Sequence, residues 1–320
     1  MKTLLWAALA LSTAVRADEI AFVNRQGGLF LVPAEGGKPV ELAHELERVN
    51  DAVFSADGAR MVVDGGLGNH HGLWALAPRA RAGAPFDRGT DPCWSPDGKR
   101  IAYGCFLPFQ NGDGEERYFS PGGVCVAGAD GGGTKLLAGG RGSVRVRGWT
   151  PDGREIVWSE LGDGREAFFA IPAAGGAPRP LLAVTFRQML DPGEVSPDLK
   201  RYVWATGGRI HVALLEGAGE TSFGAAGLRG AWCRFAPDGA RVACAVEMGK
   251  RWQLQVYAAA GGEAAVLADG IAAATPLWSP DGAKLVYAGD DGLYVIDAKG
   301  GRPLRLFRGG DDDRAIGWIR

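Results

Sequence analysis

A seven-residue phrase that recurs six times constrains the fold of this chain more than any other feature of its sequence. Each copy leads from an apolar residue through a corner of the Ser-Pro-Asp-Gly type into a second strand-like stretch such as RIAYGC. Proline presets φ at the second position of such a turn and glycine accepts a positive φ at the fourth, so the phrase reverses an extended chain. Each copy therefore predicts the corner of a β-hairpin. The copies are FSADGAR (54–60), WSPDGKR (94–100), WTPDGRE (149–155), VSPDLKR (195–201), FAPDGAR (235–241) and WSPDGAK (278–284).

A second phrase, which ends in paired glycines, recurs between the copies of the first. Each copy follows an apolar strand pattern and most precede another, so one unit holds four strands separated by two corners. The Asp of the first phrase returns at steps of 40 to 55 residues. A four-stranded unit at this period predicts an all-β fold, a β-propeller. The second phrase reads PAEGG (33–37), GADGG (128–132), PAAGG (172–176), AAAGG (258–262) and DAKGG (297–301).

The first phrase also carries a family resemblance. Ser-Pro-Asp-Gly-Lys after an aromatic residue, followed by an Ile-Ala-Tyr strand, resembles the PD40 (WD40-like) repeat of TolB-like β-propellers, and the copies cover nearly all of residues 18–320. One copy departs, because Leu199 stands where the turn glycine belongs. A positive φ is costly for leucine, so we expect a different turn or a weaker blade there. The resemblance implies a propeller that binds other proteins of the cell envelope.

The two ends of the chain predict one further blade, assembled from both of them. The N-terminal stretches EIAFVNR, GLFLVPAEGG and KPVELA supply three strands, and the C-terminal RAIGWIR supplies one. Residues 314–319 should therefore pair with residues 19–25 and close the ring, which removes exposed sheet edges. We predict seven four-stranded blades; six is the alternative that the family resemblance suggests.

The first 17 residues have the pattern of a secretory signal peptide. Lys2 supplies the positive charge, LLWAALALSTAV the apolar segment, and VRA the small residues before a cut after Ala17. The apolar segment is shorter than the roughly 20 residues that span a bilayer. We therefore expect residues 18–320 to form a single β-propeller domain, without a membrane span, in the periplasm or outside the cell.

Five cysteines in an exported protein predict two disulfides and one leftover thiol. Cys233 and Cys244 flank one Pro-Asp-Gly corner and could face each other across the hairpin. Cys105 and Cys125 flank the longest insertion and lie on adjacent predicted strands, which leaves Cys93 unpaired. The alternative is five reduced, buried cysteines.

Motifs for catalysis, metal binding and nucleic-acid binding are not recognisable in the sequence. It has no G-x-S-x-G nucleophile elbow, and no residues remain for the separate α/β-hydrolase domain that such chemistry needs. The four histidines are His44, His70, His71 and His211, and the adjacent pair should point its rings apart in an extended loop. We therefore predict no metal site and no cofactor. The formal net charge of −2, with no long basic block, predicts no nucleic-acid partner.

Departures from the repeat predict where a partner binds, because loops on a rigid scaffold commonly carry function. The longest is residues 106–123, on the face formed by the connections from strand two to three and from strand four to one. The loop 67–72 of the preceding blade should lie beside it, and 185–194 is a second lengthened connection on that face. Aromatic residues and arginine dominate interface hot spots, and titration of the loop histidines would make binding depend on pH. The alternative is an insertion without a partner. The predicted partner-binding residues are Asn69, His70, His71, Phe106, Phe109, Gln110, Asn111, Asp113, Glu115, Glu116, Arg117, Tyr118 and Phe119.

Two classes of function follow from these observations. The first, which the family resemblance favours, is a non-catalytic scaffold, monomeric, that binds an envelope protein or peptide. The alternative is a lyase or hydrolase that acts on a saccharide or peptide at the mouth of the propeller channel.

Overall fold

Short antiparallel strands make up the regular structure of the computed structural model, which describes residues 18–319 except 43–44, 69, 79, 81–84, 108, 111–115, 118–120, 141, 186–192, 225–226 and 311. The strands are β1 (Glu19–Val23), β2 (Leu29–Pro33), β3 (Val40–Leu42), β4 (Arg48–Phe54), β5 (Met61–Leu67), β6 (His70–Leu76), β7 (Gly89–Trp94), β8 (Arg100–Cys105), β9 (Phe109–Gln110), β10 (Glu116–Arg117), β11 (Gly123–Gly128), β12 (Lys135–Gly139), β13 (Ser143–Trp149), β14 (Glu155–Gly162), β15 (Arg165–Pro172), β16 (Arg179–Thr185), β17 (Glu194–Val195), β18 (Arg201–Thr206), β19 (Arg209–Leu214), β20 (Glu220–Phe223), β21 (Leu228–Phe235), β22 (Arg241–Met248), β23 (Arg251–Ala258), β24 (Ala265–Ile271), β25 (Leu277–Trp278), β26 (Lys284–Gly289), β27 (Gly292–Asp297), β28 (Leu304–Arg305) and β29 (Arg314–Ile319).

These strands form seven blades arranged in a ring, as the sequence predicted. Blade 1 contains β4–β6, and blade 2 contains β7, β8, β11 and β12, with β9 and β10 as a separate small hairpin between β8 and β11. Blades 3 to 6 follow as β13–β16, β17–β20, β21–β24 and β25–β28. The fourth position of blade 1 is reduced, within the described residues, to a single bridge between Leu73 and Asp87.

Blade 7 joins the two ends of the chain. Its strand order is β29-β1-β2-β3, so the C-terminal strand occupies the inner position and pairs antiparallel with β1. The predicted closure is confirmed, with one correction: the paired strand stops at Val23, because Asn24 and the residues after it form the turn into β2. All five residues of β1 are buried, which follows from its place between two strands and two neighbouring blades.

The repeated corner is held by its own side chains. In five of the six copies a Ser or Thr hydroxyl donates to the Asp carboxylate two residues later, as Ser95 does to Asp97 at 2.6 Å. The same carboxylate accepts the backbone N–H two residues further on. The Ser95 hydroxyl, followed by this N–H, holds the pKa of Asp97 below its usual range. The expectation of a different turn at Leu199 is wrong. Leu199 adopts φ 53° and donates its N–H to the Ser196 carbonyl, as the glycines of the other copies do.

The hydrophobic core is divided into seven clusters, and each cluster lies between two adjacent blades. The apolar residue that precedes the corner belongs to this layer: Trp149, Phe235 and Trp278 are buried. The indole N–H of Trp149 donates to the Cys93 carbonyl of the preceding blade at 3.2 Å. Because each sheet buries both faces against its neighbours, the ring needs no central core, and a channel is left along its axis.

Two cystine bridges are present. Cys105 is bonded to Cys125, with the Cα atoms 5.7 Å apart, and Cys233 is bonded to Cys244, with the Cα atoms 4.1 Å apart. The first ties β8 to β11 at the base of the excursion that carries β9 and β10, so that excursion starts and ends at a fixed point of blade 2. Cys93 is a free thiol, and burial raises its pKa to about 12.

Candidate functional site

The inner strands of the blades surround a cavity of about 410 Å³ on the channel axis. Every blade contributes to its wall, and most of the contributed side chains are charged. The residues that line it from blade 1 to blade 7 include Asp51, Asp91, Arg145, Arg147, Glu194, Arg234, Thr275 and Arg314. We call this set the channel wall. A cavity of this size fits a side chain or a short extended segment of a partner, not a folded domain.

The charges of the channel wall are paired across blade boundaries. Arg145 of blade 3 lies 3.3 Å from the Asp91 carboxylate of blade 2, and Arg234 of blade 5 lies 2.9 Å from that of Glu194 in blade 4. Arg314, the first residue of β29, donates to the backbone carbonyl of Asn50 in blade 1. These contacts fasten neighbouring inner strands to each other. They also leave the channel lined with groups of both signs, acidic in blades 1, 2 and 4 and basic in blades 3, 5 and 7, that an entering ligand would meet.

Two carboxylates face each other on the first two strands of blade 1. Asp51 on β4 is paired in register with Asp64 on β5. Burial raises the pKa of Asp51, and Arg314 opposes that shift. Burial also raises the pKa of Asp64, to about 6. The hydrogen bond from Asn50 and the charge of His71 act in the opposite direction and lower it. The Asn50 side-chain amide lies 3.2 Å from the Asp64 carboxylate and 2.7 Å from His71 Nε2.

We expect the Asp64 carboxyl to give the protein a measurable pH dependence of stability. Its pKa is about 6 in the folded chain and 3.8 ordinarily, so between these values the folded chain binds the proton more tightly than the unfolded chain does. The free energy of unfolding should therefore fall as pH rises from about 4 to about 6.5, by roughly 1–3 kcal/mol. The variant Asp64→Asn should show a clearly smaller fall when urea unfolding is followed across the same range, and the raised pKa of Asp51 accounts for what remains. Parallel curves for the two proteins would contradict the assignment, and Asp57→Asn, at an exposed corner, is the control.

A buried polar network lies between blades 3 and 4. Arg147, whose side chain is 8% exposed, forms an ion pair with Glu166, whose side chain is 1% exposed. Arg147 also donates to Ser159 Oγ and to the Gly193 carbonyl, each at 2.9 Å. The Tyr202 hydroxyl donates to Glu166 at 2.6 Å and accepts the Gly193 N–H at 2.9 Å. Burial, with the neighbouring Glu166, raises the pKa of Tyr202, so its hydroxyl stays a donor. The network fixes the backbone that carries Glu194 into the channel.

Sequence reasoning missed both the channel wall and this network. The available signal was a set of charged residues inside strand patterns: Arg145 and Arg147 in SVRVRGW, Asp51 in RVNDAVF and Glu166 in REAFFAIP. A charge in a strand with two buried faces needs a partner. The partners of Arg145, Arg147 and Glu166 lie 19 to 54 residues away in sequence, so only the register and packing of the folded sheets identify them.

The predicted partner-binding patch is placed only in part. His70 and His71 begin β6, and Phe106 follows β8, where its N–H donates to the Arg88 carbonyl at 3.2 Å. His71 contacts Asn50 and Asp64 of its own blade. Phe109, Gln110, Glu116 and Arg117 form the β9–β10 backbone hairpin. Asn69, Asn111, Asp113, Glu115, Tyr118 and Phe119 lie outside the described residues, as does most of the connection 185–194.

Solved structures with the same fold come from proteins of several activities. TolB from Acinetobacter baumannii is 14% identical, with a TM-score of 0.51 over 96% of this chain and 69% of its own. The hydrazine synthase of Kuenenia stuttgartiensis is 14% identical, with a TM-score of 0.62 over 89% of this chain and 94% of its own. An oligogalacturonate lyase in complex with manganese is 13% identical, with a TM-score of 0.60 over 92% of this chain and 85% of its own. These likenesses show the fold alone.

Neither a protein-family model nor a curated protein matches the sequence. In the part of the chain that the structure describes, no three or more His, Cys, Asp or Glu side chains are grouped so that they could hold a metal ion. The same part contains no helix that is long and apolar enough to cross a membrane.

Proposed function

We propose that the protein is an exported, non-catalytic scaffold that binds a protein or peptide of the cell envelope, in the manner of TolB-like propellers. The leader-like start of the sequence, the repeat phrase and the shared fold with TolB support this proposal. The observation that carries it is the channel wall: a cavity of about 410 Å³, lined from all seven blades, with acidic groups in blades 1, 2 and 4 and basic groups in blades 3, 5 and 7.

The arrangement of charges in the channel suits recognition of a polar segment. The ion pairs Arg145–Asp91 and Arg234–Glu194 hold their side chains in place before a ligand arrives, which lowers the entropy that binding must spend on ordering them. A peptide with complementary charges can share these pairs, whereas one with the wrong pattern brings like charges together. Specificity would therefore come from the order of charges along the bound segment.

The excursion between β8 and β11 is the second part of the proposed surface. The bond between Cys105 and Cys125 fixes both of its ends on blade 2, and β9 and β10 give it a hairpin of its own. It lies on the face where strand-two-to-three connections emerge, near the start of β29 and of the other inner strands. We propose that residues 106–123 contact the partner outside the channel, while the channel wall binds a segment of it.

A charge reversal in the channel tests the proposal. Arg145→Glu places a carboxylate beside Asp91, so recovery of envelope partners from an extract should fall at least about 10-fold, as expected when a pair in a charged interface becomes repulsive. Arg154→Glu, at an exposed corner on the opposite face, is the matched control and should keep the partners. Replacement of residues 107–121 by a Gly-Ser turn should also prevent recovery of the partners from the extract.

Two results would count against the scaffold. If Arg145→Glu and the loop replacement both fold and recover the same partners as the unchanged protein, neither surface is the binding site. If the purified protein consumes a polymeric saccharide or peptide, with or without added Mn²⁺, then the enzymatic alternative is right and the non-catalytic role is wrong.

A further inference from the structure

An arginine that bridges adjacent blades recurs on the corner face of the ring. It stands at the start of the second strand and places its guanidinium over the aromatic ring that ends the first strand of the next blade. The guanidinium carbon lies 4.6 to 5.4 Å from the ring centroid in four such pairs: Arg60 over Trp94, Arg100 over Trp149, Arg201 over Phe235 and Arg241 over Trp278. Three of these arginines also donate to the glycine carbonyl of the next corner: Arg60 to Gly98, Arg100 to Gly153 and Arg241 to Gly282.

The boundary between blades 6 and 7 has the aromatic ring but lacks the arginine. Trp318 pairs with Ile20 as Trp94 pairs with Ile101, so it holds the equivalent position. The residue at the arginine position is Lys284, which is exposed, whereas the four arginines are half-buried. Trp318 donates its indole N–H to Asp18 at 3.4 Å, and among the described residues no cation lies over its ring.

Two cavities adjoin Trp318 and Pro280 at this boundary. One, of about 350 Å³, is lined by four carboxylates and two cations: Asp18, Glu35, Asp281, Asp297, Lys284 and Arg302. The other, of about 380 Å³, is mainly apolar and includes Phe54, Ile316 and Ile319.

The two cavities lie where the other blades have a Pro-Asp-Gly corner. β29 and β1 come from opposite ends of the chain, so no such corner links them. At another boundary the corner lies beside the corner of the preceding blade, since a Cβ built on Gly282 would be 3.6 Å from Pro237 Cδ. The cavities thus occupy the place of a seventh corner.

We propose that the cavity beside Trp318 binds the guanidinium group of an arginine from a partner peptide. Four internal precedents show that this position in the fold accepts a guanidinium over an aromatic ring. The excess of carboxylates in the lining favours a cation, and a planar guanidinium both stacks on an indole and donates in pairs to a carboxylate, which an ammonium does not. This site lies on the corner face, opposite the loop face of the proposed scaffold, and it goes beyond that function.

The probe is the tripeptide acetyl-Gly-Arg-Gly-amide, titrated into the purified protein by calorimetry, with the lysine peptide as its control. The arginine peptide should bind at least 5-fold more tightly than the lysine peptide. Lys284→Arg restores the residue that the other blades carry, so it should fold, raise the melting temperature and weaken peptide binding at least 10-fold by filling the cavity from within. Asp297→Asn removes one of the carboxylates of the lining, so it should weaken peptide binding without filling the cavity.

Three results would overturn this inference. Equal affinities for the two peptides would remove the preference for a guanidinium. Unchanged binding by Lys284→Arg would place the peptide elsewhere. A rise in affinity of 5-fold or more in Arg320→Ala would mean that the neighbouring residue of this chain, and not a partner, supplies the guanidinium. None of these outcomes depends on the channel, since Arg145→Glu leaves this cavity intact.

Discussion

Removal of residues 313–320 is expected to lower the melting temperature by about 10 °C or more, because it deletes the strand that closes the ring. β29 pairs with β1 at five positions and covers a strand whose five residues are all buried. Its loss removes several backbone hydrogen bonds, each worth about 1 kcal/mol. It also removes the buried Ile319 side chain, worth roughly 1.5–3 kcal/mol, and leaves β1 as an open sheet edge. Thermal unfolding followed by circular dichroism measures the change.

Deletion of Arg320 alone is the matched control for this truncation. This variant keeps all of β29 and should have the same melting temperature as the unchanged protein. A truncated chain that melts within about 2 °C of full length would contradict the closed ring, since an inner strand between two blades cannot be removed without exposing their facing cores. Aggregation of the truncated chain would agree with the exposed edge of β1 and would be seen in size-exclusion chromatography.

The parts of the fold that the sequence predicts are the local ones. In all six corners the Asp accepts an N–H from two residues further on, and in five of them it also accepts a Ser or Thr hydroxyl from two residues before, so the corner is specified within seven residues. Ring closure was predictable because the three strand patterns at the N-terminal end and the single one at the C-terminal end together make up one four-stranded blade. Leu199 shows the limit of local reasoning: its positive φ is unfavourable alone, yet its side chain packs at the blade 3–4 boundary, within 3.2 Å of where Gly148 would carry a Cβ.

The channel wall could not be predicted in the same way. Asp51 and Asp64 meet because β4 and β5 pair in one particular register, with an irregularity between Val49 and Asp51. Such a bulge shifts the side chains that follow it to the opposite face of the strand, so alternation in the sequence does not report which of them point into the channel. Arg145 and Asp91 come from different blades, and their contact depends on how two sheets pack. Charged residues within strand patterns indicate that each has an ion-pair or hydrogen-bond partner, but the packing of the sheets determines which residue that partner is.

The second large effect is expected at Glu166, where Glu166→Leu should lower the free energy of unfolding by about 3–5 kcal/mol. The substitution leaves Arg147 with its charge buried and unpaired, and it takes from Tyr202 the acceptor of its hydroxyl. Glu216→Leu, which breaks the exposed pair with Arg179, is the control and should change stability by less than about 1 kcal/mol. Urea unfolding at constant pH measures both.

A double variant separates the buried charge from the rest of the network. Arg147→Met with Glu166→Leu removes both charges, so it should recover most of the stability that Glu166→Leu loses, because a buried ion pair and apolar groups of similar volume are often close in free energy. The double variant still lacks the two donors that hold Ser159 and the Gly193 carbonyl, and so it leaves the backbone before Glu194 less constrained. Stability should therefore return while partner binding through the channel does not. A double variant less stable than Glu166→Leu alone would show that the cost of the single variant does not come from the unpaired arginine.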